Sequence, residues 1–263
     1  MLLHYTDQGK GEVVVLLHGM ASSGRYWDTF IPHLGTTNRI ITIDLLGYGR
    51  SPMPKDAIYS YESHVKSLVE TLDHINIRQP ITLVGHSMGA LLSLRLASLY
   101  PERISRLVLV GMPIFEDATS AREAIIKSKL LNQLAFYGPT SHALCTTWCR
   151  LLRPISKRLA TFYLPDLPAP VAEDSVLHTW QSYSQSMTHV IENQQVAQDI
   201  AKLSIVPILL YGDRDVPKDL DLVAELHTLK AIDIRTLPGT HQVVFEHPAE
   251  IAKDVLGMTY SMS

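Results

Sequence analysis

The chain has 263 residues, 46% hydrophobic, 19% charged and 7% aromatic. This is ordinary globular composition, long enough to bury about 70 to 75% of the unfolded surface without staples. The formal charge of −3 comes from 23 basic and 26 acidic residues scattered along the chain, which leaves no single-sign field for nucleic acid or an anionic membrane. Met1 to Gly11 lack a basic start and an apolar stretch, so they do not read as a signal peptide. No apolar run approaches the roughly 18 to 20 residues that span a bilayer. The expectation is a cytoplasmic protein acting on a small molecule, with no nucleic-acid or membrane partner. Its oligomeric state is not legible.

Glu12 to Leu17 (EVVVLL) is a nearly continuous apolar run ending at His18-Gly19, which reads as a buried parallel strand. Similar strands are expected over Arg39 to Asp44, Ile81 to Val84, Arg106 to Val110, Val206 to Tyr211 and Ala231 to Leu237. Helical patterns lie between them, as at Ser60 to Ile75, where Val65, Leu68, Leu72 and Ile75 recur at helical spacing and Ser60 can cap the start. Alternating strands and helices predict an α/β fold with a doubly wound, mostly parallel sheet, because parallel neighbours need crossover connections. Ligands of such sheets bind beyond the carboxyl ends of the strands.

The alternation stops from about Ile114 to Asn193, where helical stretches are punctuated by Pro139, Pro154 and the run Pro165 to Pro170. The expected organisation is core over 1–113, a helical cap insertion over 114–196, and core again over 197–263. The insertion carries Phe136, Tyr137, Trp148, Phe162, Tyr163, Trp180 and Tyr183. A cap over a pocket would use these rings, and simple packing is the competing reading. The two cysteines, Cys145 and Cys149, sit at i, i+4 and are poorly placed for a disulfide. With His142 at helical spacing they could face a soft metal, but three ligands on one helix without a fourth are weak evidence. Buried reduced thiols are expected, with no metal and no cofactor.

Gly85-His86-Ser87-Met88-Gly89 lies between a buried strand and a helix, the context that a nucleophile elbow requires. The turn must be sharp enough to lift the serine oxygen above the sheet, and Gly85 and Gly89 remove side chains that would collide there. A serine hydroxyl needs a base whose far ring nitrogen is held by a carboxylate. Of twelve histidines, His241 follows the last expected strand, in a Pro-Gly turn that can bring it over the strand ends. His247 reads as a helix-start residue, and His18 and His86 as structural. His4, His33, His64, His74, His178, His189 and His227 read as surface or cap positions.

The carboxylate should follow a strand between Ser87 and His241, and Tyr211-Gly-Asp-Arg-Asp-Val-Pro offers Asp213 and Asp215. Asp215 lies deeper in the loop and is preferred, with Asp213 as a turn cap and Asp117 a distant alternative. An oxyanion hole needs two backbone donors. Met88 N–H follows the nucleophile, and Met20 N–H, in the loop after the first expected strand, is the second. A flexible thioether at both positions would suit an adaptable acyl pocket, or merely pack.

Taken together, HGMASSGRYW at His18 to Trp27, DLLGYGRS at Asp44 to Ser51, GHSMG, YGDRDVP and PGTHQVVFEHP resemble the α/β-hydrolase superfamily over nearly the whole chain. The resemblance implies a triad of Ser87, Asp215 and His241 in that chain order, and a helical cap beginning near Ile114. Dehalogenases and epoxide hydrolases of this fold use an aspartate where this chain has Ser87, so those chemistries are disfavoured. The HGGG motif of one lipase group is missing, and the chain looks more like HG-x esterases and carbon-carbon bond hydrolases. The expected activity is cleavage of a small, largely apolar carboxylic ester. The alternatives are hydrolysis of a vinylogous diketone acid, or non-catalytic binding on the same fold.

Overall fold

The computed structural model describes residues 1–128, 140–215 and 220–258. Seven strands, β1 (Tyr5–Gly9), β2 (Glu12–Leu17), β3 (Asn38–Ile43), β4 (Ile81–His86), β5 (Ile104–Val110), β6 (Ile208–Gly212) and β7 (Asp233–Leu237), form one sheet in the order β1-β3-β2-β4-β5-β6-β7. All neighbours are parallel except β1 with β3. The expected doubly wound α/β architecture is therefore present. Both faces are covered: Val13, Val15 and Leu17 of β2 enter one apolar cluster, and Val14 and Leu16 enter the other. A strand buried on both faces has no polar side to show, which is why these strands read as apolar runs.

Strand β1 was not anticipated. Its sequence YTDQG is polar and mostly exposed, and it is held by antiparallel pairing along the edge of β3, so no apolar pattern announces it. The opposite edge, β7, is only half-buried and begins two residues later than the apolar pattern suggests.

Helix α1 (Tyr61–His74) forms where its periodicity places it, and Ser60 accepts the Ser63 N–H as cap. Helix α2 (Met88–Leu99) leaves β4 through Ser87 alone and is buried on every side except at Leu99. Between β5 and β6 the described residues hold helices and no strand of the sheet. These are α3 (Ala118–Ser128), α4 (Ser141–Thr146) running into a π-helical turn at Thr147–Leu151, α5 (Arg153–Tyr163), α6 (Ala169–Asp174), and α7 (Trp180–Ser186) continued by a π turn at Met187–Glu192. Phe136, Tyr137 and Pro139 lie outside the described residues, as do Val216 and Pro217 of the acid loop. Helix α8 (Val196–Lys202) is the last before β6, and α9 (Leu220–Leu229), α10 (Val243–Glu246) and α11 (Pro248–Leu256) complete the chain. Among the described residues no helix is long and apolar enough to cross a membrane.

Helix α2 is clamped by α8 through a buried ion pair. Arg95 Nε donates to Asp199 Oδ2 at 2.7 Å, Ser98 Oγ donates to Asp199 Oδ1 at 3.0 Å, and the guanidinium lies 4.4 Å from the centre of the Tyr61 ring. Removing one partner strands the other charge in the interior, so Asp199→Ala should cost about 3 to 5 kcal/mol, read by urea unfolding. A loss below about 1 kcal/mol would mean that the pair is solvated like a surface one.

Candidate active site

The sharp turn expected at Ser87 is present. Ser87 has φ 54° and ψ −120°, a conformation that costs a non-glycine residue about 1 to 3 kcal/mol and persists only where surrounding structure imposes it. Its N–H donates to Val110 O at 2.9 Å, which fastens the turn to the end of β5. A methyl on Gly85 would collide with the Gly89 carbonyl, and one on Gly89 would meet the carbonyls of Leu17 and His18. Strand, turn and helix can cross this closely only with both glycines in place.

Two loops bring the acid and the histidine together. His241 Nδ1 lies 3.0 Å from Asp215 Oδ1, and the Asp215 side chain is 1% exposed. A methyl on Gly111, just past β5, would stand 3.2 Å from His241 Nδ1 and 3.3 Å from Asp215 Oδ2, which sets the pair over the end of the central strands. Asp213 does a different job. Its Oδ1 accepts the Gly239 N–H at 2.8 Å, and this bond holds its carboxyl below the usual carboxylate range. Arg214 N–H donates to Gly239 O at 2.8 Å, so the acid loop and the histidine loop are laced together by backbone. Asp117 Oδ1 accepts the Ser120 N–H at the start of α3.

Two further histidines set the surroundings, as the sequence suggested. Leu45 N–H donates to His18 Nε2 at 2.9 Å, so the His18 proton is on Nδ1, which donates to Gly19 O at 2.6 Å. In a trans peptide C=O and N–H are opposed, so drawing the Gly19 carbonyl to His18 turns the Met20 N–H to the other side. His86 Nε2 donates to the His241 carbonyl at 2.9 Å, and its ring stacks on Tyr26 at 4.5 Å. Tyr26 O–H in turn donates to Gln242 Oε1 at 3.2 Å. Tyr26 and Gln242 carry no spacing that marks them in advance. They lie inside the HGMASSGRYW and PGTHQVVFEHP segments but show no local sign of this role.

Ser87, His241, Met20 and Gly19 border one cavity of about 730 Å³, within the ordinary range for a small-molecule site. Its remaining wall includes Phe115, Leu144, Trp148, Val176, Trp180 and Met187. Of the aromatic residues noted in the insertion, Trp148, Trp180 and Tyr183 border the cavity, whereas Phe162 and Tyr163 are 80% and 62% exposed. The two methionines divide between the two readings: Met20 lines the cavity, whereas the Met88 side chain, at the start of α2, is wholly buried and packs in the core. The Met88 N–H is the first of α2 and has no intrahelical acceptor. Among the described residues neither the Met20 nor the Met88 N–H is engaged in a hydrogen bond.

The loop after β2 reaches the helical insertion directly. Ser23 Oγ donates to Asp174 Oδ2 at 2.7 Å, and Arg25 Nη1 donates to Asp174 Oδ1 at 3.2 Å. The same loop is tied inward, where Gly24 N–H donates to Asp44 Oδ1 at 2.6 Å. Farther along the cavity wall, Cys145 and Cys149 meet His178 and not His142, which is exposed and lies near Trp180. Hydrogen bonding with Cys145, and then the His178 ring, push the Cys149 thiol down to about 5.

The sequence of residues 12–248 matches the family described as alpha/beta hydrolase fold, and the chain belongs to that family. "Probable lysophospholipase BODYGUARD 5" of Arabidopsis thaliana is 26% identical over 91% of this chain, which spans 60% of that protein's length. A cis-3-alkyl-4-alkyloxetan-2-one decarboxylase of Shewanella oneidensis is 30% identical over 79% of this chain and 68% of its own. The enol-lactonase from Burkholderia xenovorans LB400 superposes with a TM-score of 0.72 at 20% identity, covering 97% of this chain and 95% of that one. This last likeness is one of fold.

Burial holds three histidines, His18, His64 and His86, below their ordinary value, His64 down to about 3. His64 corrects the reading of it as a surface or cap residue: it is fully buried, with Nε2 3.1 Å from Ser186 Oγ. In the unfolded chain each takes up a proton near pH 6.5, while in the fold each stays neutral. Acid therefore favours unfolding. Stability should fall from pH 6.5 downward toward the folded-state values, by about 1.4 kcal/mol per pH unit for each histidine well below 6.5. Urea midpoints at pH 7.5 and 5.5 read this, and His64→Gln should make the dependence shallower. Equal slopes in the two proteins would show that His64 is protonated in the fold.

Proposed function

We propose that the protein is a serine hydrolase that cleaves a carboxylic ester of a small, largely apolar substrate through an acyl-enzyme on Ser87. The observation that carries this reading is the 3.0 Å contact of His241 Nδ1 with the buried Asp215, on the same cavity that the strained Ser87 borders. The Asp215 carboxylate accepts the Nδ1 proton and so leaves Nε2 as the free base. Ser87 Oγ attacks the ester carbonyl carbon as Nε2 takes its proton, and the Met20 and Met88 N–H groups hold the oxyanion. The alcohol leaves with the proton from His241. Water activated by the same nitrogen then frees the acid. No step requires a cofactor.

The helices over 114–196 serve in this proposal as a cap that sets the acyl pocket. An ester, and not a diketone acid, is favoured because the described residues bordering the cavity include no lysine or arginine to receive a substrate carboxylate. Ester cleavage is also in line with the lysophospholipase description of the plant relative.

Ser87→Ala should abolish hydrolysis of p-nitrophenyl esters, and a fluorophosphonate should label Ser87 in the native protein. Full activity in Ser87→Ala would sink the proposal, and failure of any activated ester or fluorophosphonate to react would favour a binding protein. Asp215→Asn should lower kcat by about 10⁴-fold. Asp213→Asn keeps an oxygen facing Gly239 and should stay within about tenfold of wild type, a contrast that equal losses would refute. Rates across acyl lengths should fall where the chain outgrows the cavity, and a panel including diketone acids tests the alternative chemistry.

A further inference from the structure

Cys145 Sγ, Cys149 Sγ and a ring nitrogen of His178 lie within 4.8 Å of one another, the one such group of histidine, cysteine and carboxylate side chains among the described residues. Nε2 of His178 is 3.6 Å from each sulfur. A ring N–H directs its proton along one line, so equal distances to two acceptors are not what a single hydrogen bond imposes. They are the distances that ligands around a shared centre keep. With Zn–S about 2.3 Å and Zn–N roughly 2.0 to 2.1 Å at tetrahedral angles, sulfur and nitrogen ligands stand about 3.6 Å apart.

We propose that Cys145, Cys149 and His178 form a site for a soft divalent ion of the zinc class, with the fourth coordination position open to the cavity. All three residues border the cavity. Two thiolates and one imidazole are the donor set that selects zinc over hard cations. Three protein ligands with one open position is also the arrangement that leaves room for water or a substrate atom. The π-helical turn at Thr147–Leu151 breaks the helical register around Cys149. His178 comes from a separate segment, which pairs with Tyr48 and whose Leu177 carbonyl accepts the Gly49 N–H at 2.9 Å. An ion here would tie the α4 region to a segment already fastened to the core. It would also give a largely apolar wall one electrophilic position that a substrate oxygen could reach. The site is independent of the ester reading and can be tested apart from it.

Protein treated with chelator and reductant is titrated with cobalt(II) chloride, a spectroscopic stand-in for zinc. The expected result is one equivalent bound, with sulfur-to-cobalt charge-transfer absorption, intense four-coordinate d–d bands, and bleaching by one equivalent of zinc chloride. Zinc should also protect both thiols from a disulfide reagent and raise the melting temperature. Cys149→Ser and His178→Gln should each weaken binding about tenfold or more, and circular dichroism checks that each is folded. A weak six-coordinate cobalt spectrum in the wild-type protein would overturn the proposal. So would unchanged thiol reactivity with zinc present, or a Cys145–Cys149 disulfide that forms readily in place of metal binding. Neither wild-type measurement depends on a variant folding or on hydrolysis of any ester.

Discussion

The site depends on how closely one strand and one helix can cross. Between β4 and α2 there is a single residue, Ser87, and the chain reverses there with φ 54° while Gly85 and Gly89 pass with no side chain between them. A conformation of this kind persists only under constraint. Here the constraint comes from α2, buried almost all round, and from the Ser87 N–H bond to Val110. The same closeness presents the first free N–H of α2 beside the serine. The serine oxygen and the free N–H beside it, the proposed nucleophile and oxyanion donor, are thus two consequences of one turn.

Around this turn, polar groups are placed by fixed protonation and not by solvent. His18 carries its proton on Nδ1 and thereby orients the Gly19–Met20 peptide. His86 donates from Nε2 to the His241 backbone. Burial keeps both neutral, so their donor and acceptor roles do not change with modest acidification. Asp213 and Asp215, two residues apart, act on the same neighbouring loop in different ways. One holds the Gly239 backbone in solvent, and the other meets the His241 ring in the interior.

The cavity is walled by the loops at the strand ends and by the helices between β5 and β6. Those helices are not laid loosely on the sheet, since Asp174 takes hydrogen bonds from Ser23 and Arg25 in the loop that also contains Met20. A change in that segment would be felt at the loop bearing Met20 through this buried carboxylate.

Much of this was legible in the sequence because it is local. Apolar patterns mark six strands to within about two residues, and for all but the half-buried edge strand β7 this follows from burial on both faces. The elbow, its glycines, and the loops bearing Asp215 and His241 followed from strand-end chemistry on adjacent residues. What stayed hidden joins residues distant in the chain. Strand β1 is polar and exists because β3 offers an edge. Met88 and Met20 look alike in sequence, but one side chain is in the core and the other faces the cavity. His178, 29 residues beyond Cys149, replaces His142 beside the two thiols. Sequence by itself determined the fold class, the order of the chemical groups and the shape of the turn, because periodicity and turn stereochemistry act over a few bonds. Only tertiary structure decided which carboxylate meets His241, which histidine meets the cysteines, and what lines the cavity, because those depend on packing between segments that no local pattern encodes.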